Sequence, residues 1–424
     1  MSRIERQVLT LEFVTPCFLG GAGLGQTAEW RAASVRGELR WWFRAVAGGL
    51  YGGQLDRVRL LETAAFGSTA ERSPLLVRAL GGPAAVRPDQ AIRFGRSLSA
   101  AEIASFWKDP SKPTEGRLYL SREGGEVKTP PIHYLGYGPV IGPKVKRPYL
   151  PAGETAKLIL QWTGRNSPLV AEARSVLDDA LWCWINLGGI GARCRKGFGS
   201  VRVVSAQAQG SGAAGMRLGS SPATAGEFVD RVKELLGRTR TPATAGLLCE
   251  WSHLSGASRV FISTTSFGSW EDVLLHLGAW LIAFRRRYGV DRDSRTYRGV
   301  SLAGRDKEWS LSRPGSSGQV EIPERAGFGL PLTFRNGPSV NWGKEKAARR
   351  ASPLLLHVAR FGGADFRAIL TYLPARLVPD GELLGMPGTR ARKSPPTAGQ
   401  MSVVDHFLDD LAGAGKRLIV EIIP

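Results

Sequence analysis

Apolar and polar positions alternate through residues 8–16 (VLTLEFVTP), which predicts an opening strand closed by Pro16. A glycine-rich turn, GGAGLG, follows. Ser34 is then placed to cap a helix over VRGELRWWFRAVAGGLY, whose apolar residues recur at helical spacing. Residues 75–80 and 155–162 (TAKLILQW) read as strands. Residues 169–187 read as a helix with Leu177, Leu181, Trp184 and Ile185 on one side, and 200–204 as a closing strand. Residues 81–150 are rich in Gly and Pro with little periodicity, and read as an insertion.

This order matches the split βαβ arrangement, an antiparallel sheet with both helices on one face. Residues 205–224, small, polar and glycine-rich, are expected to be a linker or flexible loop. Beyond them a strand is predicted at 260–265, a helix at 270–288, strand-like runs near 330–334, 353–359 and 368–373, a helix at 401–412 and a last strand at 418–423. The fold class expected is α+β: a first domain over 1–205 with an insertion at about 81–150, a linker at 206–224, and a second domain over 225–424. Two distantly similar halves are suggested by the helix running into a Gly/Arg-rich segment at 169–199 and again at 270–304.

Charge changes the picture most. The 424 residues carry 57 Lys and Arg against 37 Asp and Glu, a formal +20, which points to a polyanion partner, nucleic acid above all. The 43% hydrophobic share is that of a globular protein. Cys17, Cys183, Cys194 and Cys249 lie far apart without a CxxC pair, so neither a zinc site nor a disulfide framework is expected. MSRIERQVLTLEF has no apolar signal core and no stretch is long enough to span a membrane, so a cytoplasmic setting is expected.

The chemistry-bearing motifs fail one by one. GIGARCRKGFGS at 189–200 is not GxxxxGK followed by Ser or Thr, and it follows a helix instead of opening one. GGAGLG lacks the dinucleotide-binding spacing. DRDSRT begins like a calcium loop but has Thr296 where glycine is required. There is no HExxH and no GxSxG, and no cofactor is expected. Among five scattered histidines, His133 in the Gly/Pro-rich PPIHYLGYG is the one weak candidate for a general base.

A binding surface remains. Gly189, Gly191, Gly197 and Gly199 permit close backbone approach and amides turned toward an anion. Arg193, Arg195 and Lys196 add charge there, and Phe198 could pack inward or stack on a base. Arg36, Arg40 and Arg44 recur every four residues and share a helix face, open between RNA contact and a solvated stripe; spacing alone does not make Trp41 and Trp42 a stacking platform. Lys144, Lys146 and Arg147, then Arg292, Arg295 and Arg298, then Lys344, Lys346, Arg349 and Arg350 extend the basic surface, with Tyr149 and Tyr297 interleaved.

Taken together, LEFVTPCFLGGAG, SVRGELRWWFRA, AAFGS, GGIGARCRKGFGSV, ERAGFGLPLTF and RRASPLLLHV resemble the RAMP superfamily of CRISPR proteins, and more narrowly the first-subunit family of the Cmr module of type III-B effectors. The resemblance implies two ferredoxin-like, RRM-like RAMP domains and an RNA-binding role toward the 3′ end of the guide. It also implies guide RNA, target RNA and other Cmr subunits as partners, with cleavage assigned to other subunits. It further implies that Gly189, Gly191, Arg193, Arg195, Lys196, Gly197 and Gly199 form the superfamily's glycine loop, and that Arg36, Gly37, Arg40 and Arg44 form its basic first helix. The second half departs from the pattern, having ERAGFGLP but no second G-x-G-x5-G-F-G. The alternatives are a metal-independent guide-processing endoribonuclease of the same superfamily, or a scaffold that meets only proteins.

Overall fold

The computed structural model describes residues 5–21, 26–88, 131–141, 144–163, 167–209, 220–240, 250–287, 322, 324–332, 339–342, 349–385, 395–413 and 417–424. The first half runs β1 (Glu5–Phe13), α1 (Ala32–Leu50), α2 (Leu55–Phe66), β2 (Leu75–Leu80), β3 (Thr155–Trp162), α3 (Pro168–Leu187) and β4 (Val201–Gln209). A one-turn helix, Pro131–Leu135, and a small ribbon of Val140–Ile141 with Lys144–Val145 lie between β2 and β3. The strand order is β2-β3-β1-β4, antiparallel throughout, with Val8 opposite Ile159 and Val77 opposite Leu160. Alternation in β1 turns Leu9, Leu11 and Phe13 into a core shared with Leu39, Trp42 and Phe43 of α1 and Leu177, Leu181 and Trp184 of α3.

After α4 (Ala225–Gly237), the second half repeats the plan: β5 (Arg259–Ser263), α5 (Trp270–Arg287), β6 (Leu354–Arg360), β7 (Phe366–Tyr372), α6 (Ala398–Ala412) and β8 (Ile419–Glu421). Its sheet order is β8-β5-β7-β6. With the four strands of each half numbered in chain order, both sheets read 4-1-3-2, the ferredoxin-like split βαβ order. The α+β expectation therefore stands, but the internal equivalence changes. α5 occupies the place of α1, not of α3, and the counterpart of the 188–200 loop is the shorter connection between α6 and β8.

Local differences have local causes. α1 begins at Ala32 after Arg31, without a side-chain cap, so Ser34 lies inside the first turn. Its start is set by tertiary docking: the Trp30 indole donates to the Lys157 carbonyl (3.0 Å) and meets Phe13 edge-on at 5.6 Å. Ser205 to Gln209, expected in the linker, continue β4 opposite β1. The sequence reading missed α2 and α4. α4 is capped by Thr224, whose hydroxyl accepts from the Glu227 amide (3.2 Å). It buries Phe228 and Val232 in the first-half core. Arg231 (2.5 Å) and Arg238 (2.8 Å) close on the buried Asp179 of α3.

Candidate nucleic-acid interface

α3 ends at Leu187, and the chain crosses to β4 through a loop whose glycines are demanded by packing. Gly191, Gly197 and Gly199 have φ of 91°, 86° and 68°. A Cβ on Gly199 would meet the Ile190 carbonyl oxygen at 2.0 Å, and one on Gly197 would meet Leu274 of α5 at 2.5 Å. Many of the amides are engaged within the fold. Ile190 donates to Gly199 O (3.0 Å), Ala192 to Phe18 O (2.9 Å), Lys196 to Arg193 O (2.8 Å) and Gly199 to Pro16 O (3.0 Å). Phe198 is fully buried, its ring 5.4 Å from that of Phe18. The expected row of anion-facing amides is thus largely replaced by packing, and Phe198 is a core residue, not a stacking surface. Gly189 is buried against the Phe198 and Gly199 carbonyls.

The loop also joins the two halves. Leu356 of β6 donates its amide to the Arg195 carbonyl (3.2 Å), and Val358 donates to the Ser200 hydroxyl (3.1 Å). Nδ1 of the buried His357 donates to the Gly188 carbonyl at 2.5 Å; burial pushes this imidazole down to about 4, so it stays neutral. Glu12 of β1 reaches Arg360 across the same seam at 2.7 Å.

Cations project from this fixed strap in two directions. Arg193, at φ 67°, lies on the side of Tyr134 and the exposed Tyr137. Arg195 faces the other way, with its guanidinium 4.6 Å over the Trp41 ring and Nη1 donating to Ser352 O at 2.5 Å. Lys196 feels both: burial, then Arg193 and Arg195, push its ammonium down to about 8. Among the described residues none of the three forms an ion pair. Three half-buried cations thus stand within four residues with no ion pair among the described residues, Glu38 being the carboxyl that acts on Arg195.

On α1 the Arg stripe divides. Arg36 donates to the carbonyls of Phe66 (2.6 Å) and Leu75 (3.3 Å), tying α1 to α2 and β2, so it is a packing residue and not a free phosphate contact. Arg40 pairs with Glu62 at 2.8 Å. Arg44 is 3.5 Å from the same carboxylate and 44% exposed, and it lines two adjoining cavities. One, of about 300 Å³, lies between Trp41, Arg44, Arg195, Trp251 and Arg350. The other, of about 270 Å³, shares Trp41, Arg44 and Arg195 and is closed by Glu38 and Gly189. Burial pushes the Glu38 carboxyl up to about 7, against the opposing pull of Arg195. Burial, then Arg195, lowers the Arg350 guanidinium below its usual range.

The remaining predicted residues scatter. Lys146 and Arg147 are exposed, Lys144 opens the second strand of the small ribbon, and Tyr149 is a core ring 5.7 Å from Phe18. Arg295 and Arg298 lie outside the described residues. His133 is 6% exposed in its one-turn helix, which argues against the general-base reading because a substrate hydroxyl cannot reach it. Sequence reasoning missed Glu38, Trp41 and Trp251 as site residues and placed Arg350 among the stretches that extend the basic surface, without bringing it to α1. Only the RGELRWW context hinted at the first two. Among the described residues no cluster of His, Cys, Asp and Glu could hold a metal ion, and no helix is long and apolar enough to cross a membrane.

Two ferredoxin-like sheets joined by a glycine- and arginine-rich loop define a protein of the RAMP class. The model of the RAMP superfamily matches residues 10–202. A Pyrococcus furiosus protein, CRISPR system Cmr subunit Cmr1-2, is 31% identical over 196 residues, covering 46% of this chain and 94% of its own length. Its paralogue Cmr1-1 is 25% identical over 354 residues, covering 83% and 82%. The crystal structure of apo Cmr1 from the same organism has 20% identity and a TM-score of 0.49, over 99% of this chain and 98% of that one. The chain belongs to the RAMP superfamily and, within it, to the family of Cmr1 subunits of the CRISPR Cmr system.

Proposed function

We propose that this chain is a noncatalytic, RNA-binding subunit of a type III-B Cmr ribonucleoprotein in antiviral defence. It contacts guide RNA, target RNA or both toward the 3′ end of the guide, and it assembles with other Cmr subunits in the cytoplasm. The observation that carries the reading is the seam itself, where Arg193, Arg195 and Lys196 lie half-buried with no ion pair among the described residues, and Arg195 joins Arg44, Arg350 and two indoles around a groove. Desolvated cations of this kind favour an anion, and indole faces accept unpaired bases. Phosphate contacts dominate such an interface, so sequence preference is weak along most of the strand.

The test is the salt dependence of single-stranded RNA binding by the full chain. Arg44→Ala with Arg350→Ala should lower the slope of log K against log salt by about 1.4 units, two single-strand phosphate contacts. An unchanged slope removes the groove from the RNA path.

A further inference from the structure

The two cavities divide their chemistry in a way that phosphate binding alone does not use. The larger lobe sets Arg44, Arg195 and Arg350 around an opening flanked by Trp41 and Trp251. The smaller lobe continues past the same Trp41 and ends on a carboxyl, Glu38, with Gly189 as part of its wall. A carboxylate in a groove for a polyanion opposes the backbone, and it is useful there only to a group that brings N–H donors. Among the four RNA bases, guanine alone offers two adjacent donors, N1–H and the N2 amino group, to a carboxylate acting bidentately.

We infer that the paired cavities hold one everted nucleotide of the bound strand, its phosphate on Arg44, Arg195 and Arg350, its base against Trp41, and its edge read by Glu38, which selects guanine. This rests on the RNA-binding reading of the groove. The two volumes, about 300 and 270 Å³, fit the lower end of small-ligand pockets and so suit one nucleotide and not a duplex. Arg195, fixed on Ser352 O and stacked over Trp41, closes one side of the ring and holds that side without needing to move. Guanine also favours the ionised carboxylate, so it draws a proton off Glu38, whose carboxyl burial has raised to about 7.

Anisotropy with the full chain and 8-mer RNAs tests this: octauridylate against the same oligomer carrying a single internal guanosine, adenosine or cytidine, at one fixed salt. Guanosine should tighten binding roughly tenfold over uridine, with adenosine and cytidine close to uridine. In Glu38→Gln the guanosine-to-uridine ratio should fall to about one. If that variant does not fold, the ratio in the native chain at pH 5.5 reads the same group. There Glu38 is protonated, while the charged groups facing it, Arg44 and Arg195, are unchanged and the Cys194 thiol stays a thiol. Equal affinity for all four oligomers, or a guanosine preference that survives in Glu38→Gln, overturns the pocket while leaving the RNA groove standing. Failure to bind octauridylate at all overturns the groove reading first and the pocket with it.

Discussion

The two halves share one topology and differ in what their fourth-strand loops do. The first half takes thirteen residues, 188–200, to pass from α3 to β4; the second takes six, 413–418 (GAGKRL), to pass from α6 to β8. Length follows position. The halves meet where the β4 edge of one sheet approaches the β6 edge of the other, and the long loop bridges there, with Lys196 paired in parallel to Leu356. β8 lies on the outer edge, with Val420 51% exposed, away from the edge where the halves meet. A repeated fold thus does not repeat the surroundings of its fourth-strand connection. Where the two sheet edges join, the loop's cations are partly withdrawn from water, and α1, Trp251 and Arg350 come beside Arg195.

That contrast is most directly broken by a methyl group. Gly199→Ala puts a Cβ into the Ile190 carbonyl at a φ of 68° and should destabilise the fold by more than about 3 kcal/mol. Gly413→Ala, at a φ of −58° with its nearest contact 3.0 Å away, should cost no more than about 1 kcal/mol. Urea midpoints of the two variants measure the difference. Similar costs would mean that the seam loop yields as easily as the outer one, and that its cations are not held in place.

Much of the scaffold was legible in the sequence, and the reason is local. TAKLILQW alternates as a half-buried strand must, and the helix expected at 401–412 is present as α6, though its start three residues earlier, set by a capping box of Thr397 and Gln400, went unread. α2 went unread because LDRVRLLETAAF has a shallow apolar face and starts after Gln54 without a side-chain cap. The loop cations were legible as charge, but their directions were not, since those depend on a positive φ at Arg193 and on Ser352 and Trp41, 157 and 154 positions away from Arg195. Arg350 was legible as charge, but neither its place nor that of Trp251 was, because only the junction of the halves brings them to α1. For the same reason Arg36 was misread: its apparent stripe with Arg40 and Arg44 is genuine in spacing, but two carbonyls have claimed its guanidinium.

Proton linkage gives a second, smaller test of the seam. Burial and two neighbouring arginines hold the Lys196 ammonium near 8, below its usual 10.5, so the unliganded protein is losing this proton through pH 7 to 9. A phosphate beside it favours the charged form, so RNA binding takes up a proton in that window and weakens as pH rises. Affinity for an oligouridylate should fall about tenfold between pH 7 and pH 9, and Lys196→Met should flatten most of that fall. Calorimetry in buffers of different ionisation enthalpy reads the proton uptake directly. A pH-independent affinity in the native chain would place the phosphates away from Lys196, leaving Arg195 and its groove as the contact.

The smallest expected effect sharpens the comparison most. The sequence joining α6 to β8 has its own basic pair, Lys416 and Arg417, and Arg417 even shares the left-handed backbone of Arg193, at a φ of 47°. What it lacks is a second sheet edge. Its amide donates to Gly413 O at 3.0 Å, and its carbonyl accepts from the exposed Thr264 hydroxyl at 2.8 Å, all within the second half. Replacing Lys416 by Gln and Arg417 by Asn, which tolerates that backbone, should leave the salt slope of RNA binding within about 0.3 units of the native value. A drop of a full unit would mean that the outer loop also holds phosphate. The halves would then be repeats in function as well as fold, and the junction would not be what makes a cation-bearing loop a site.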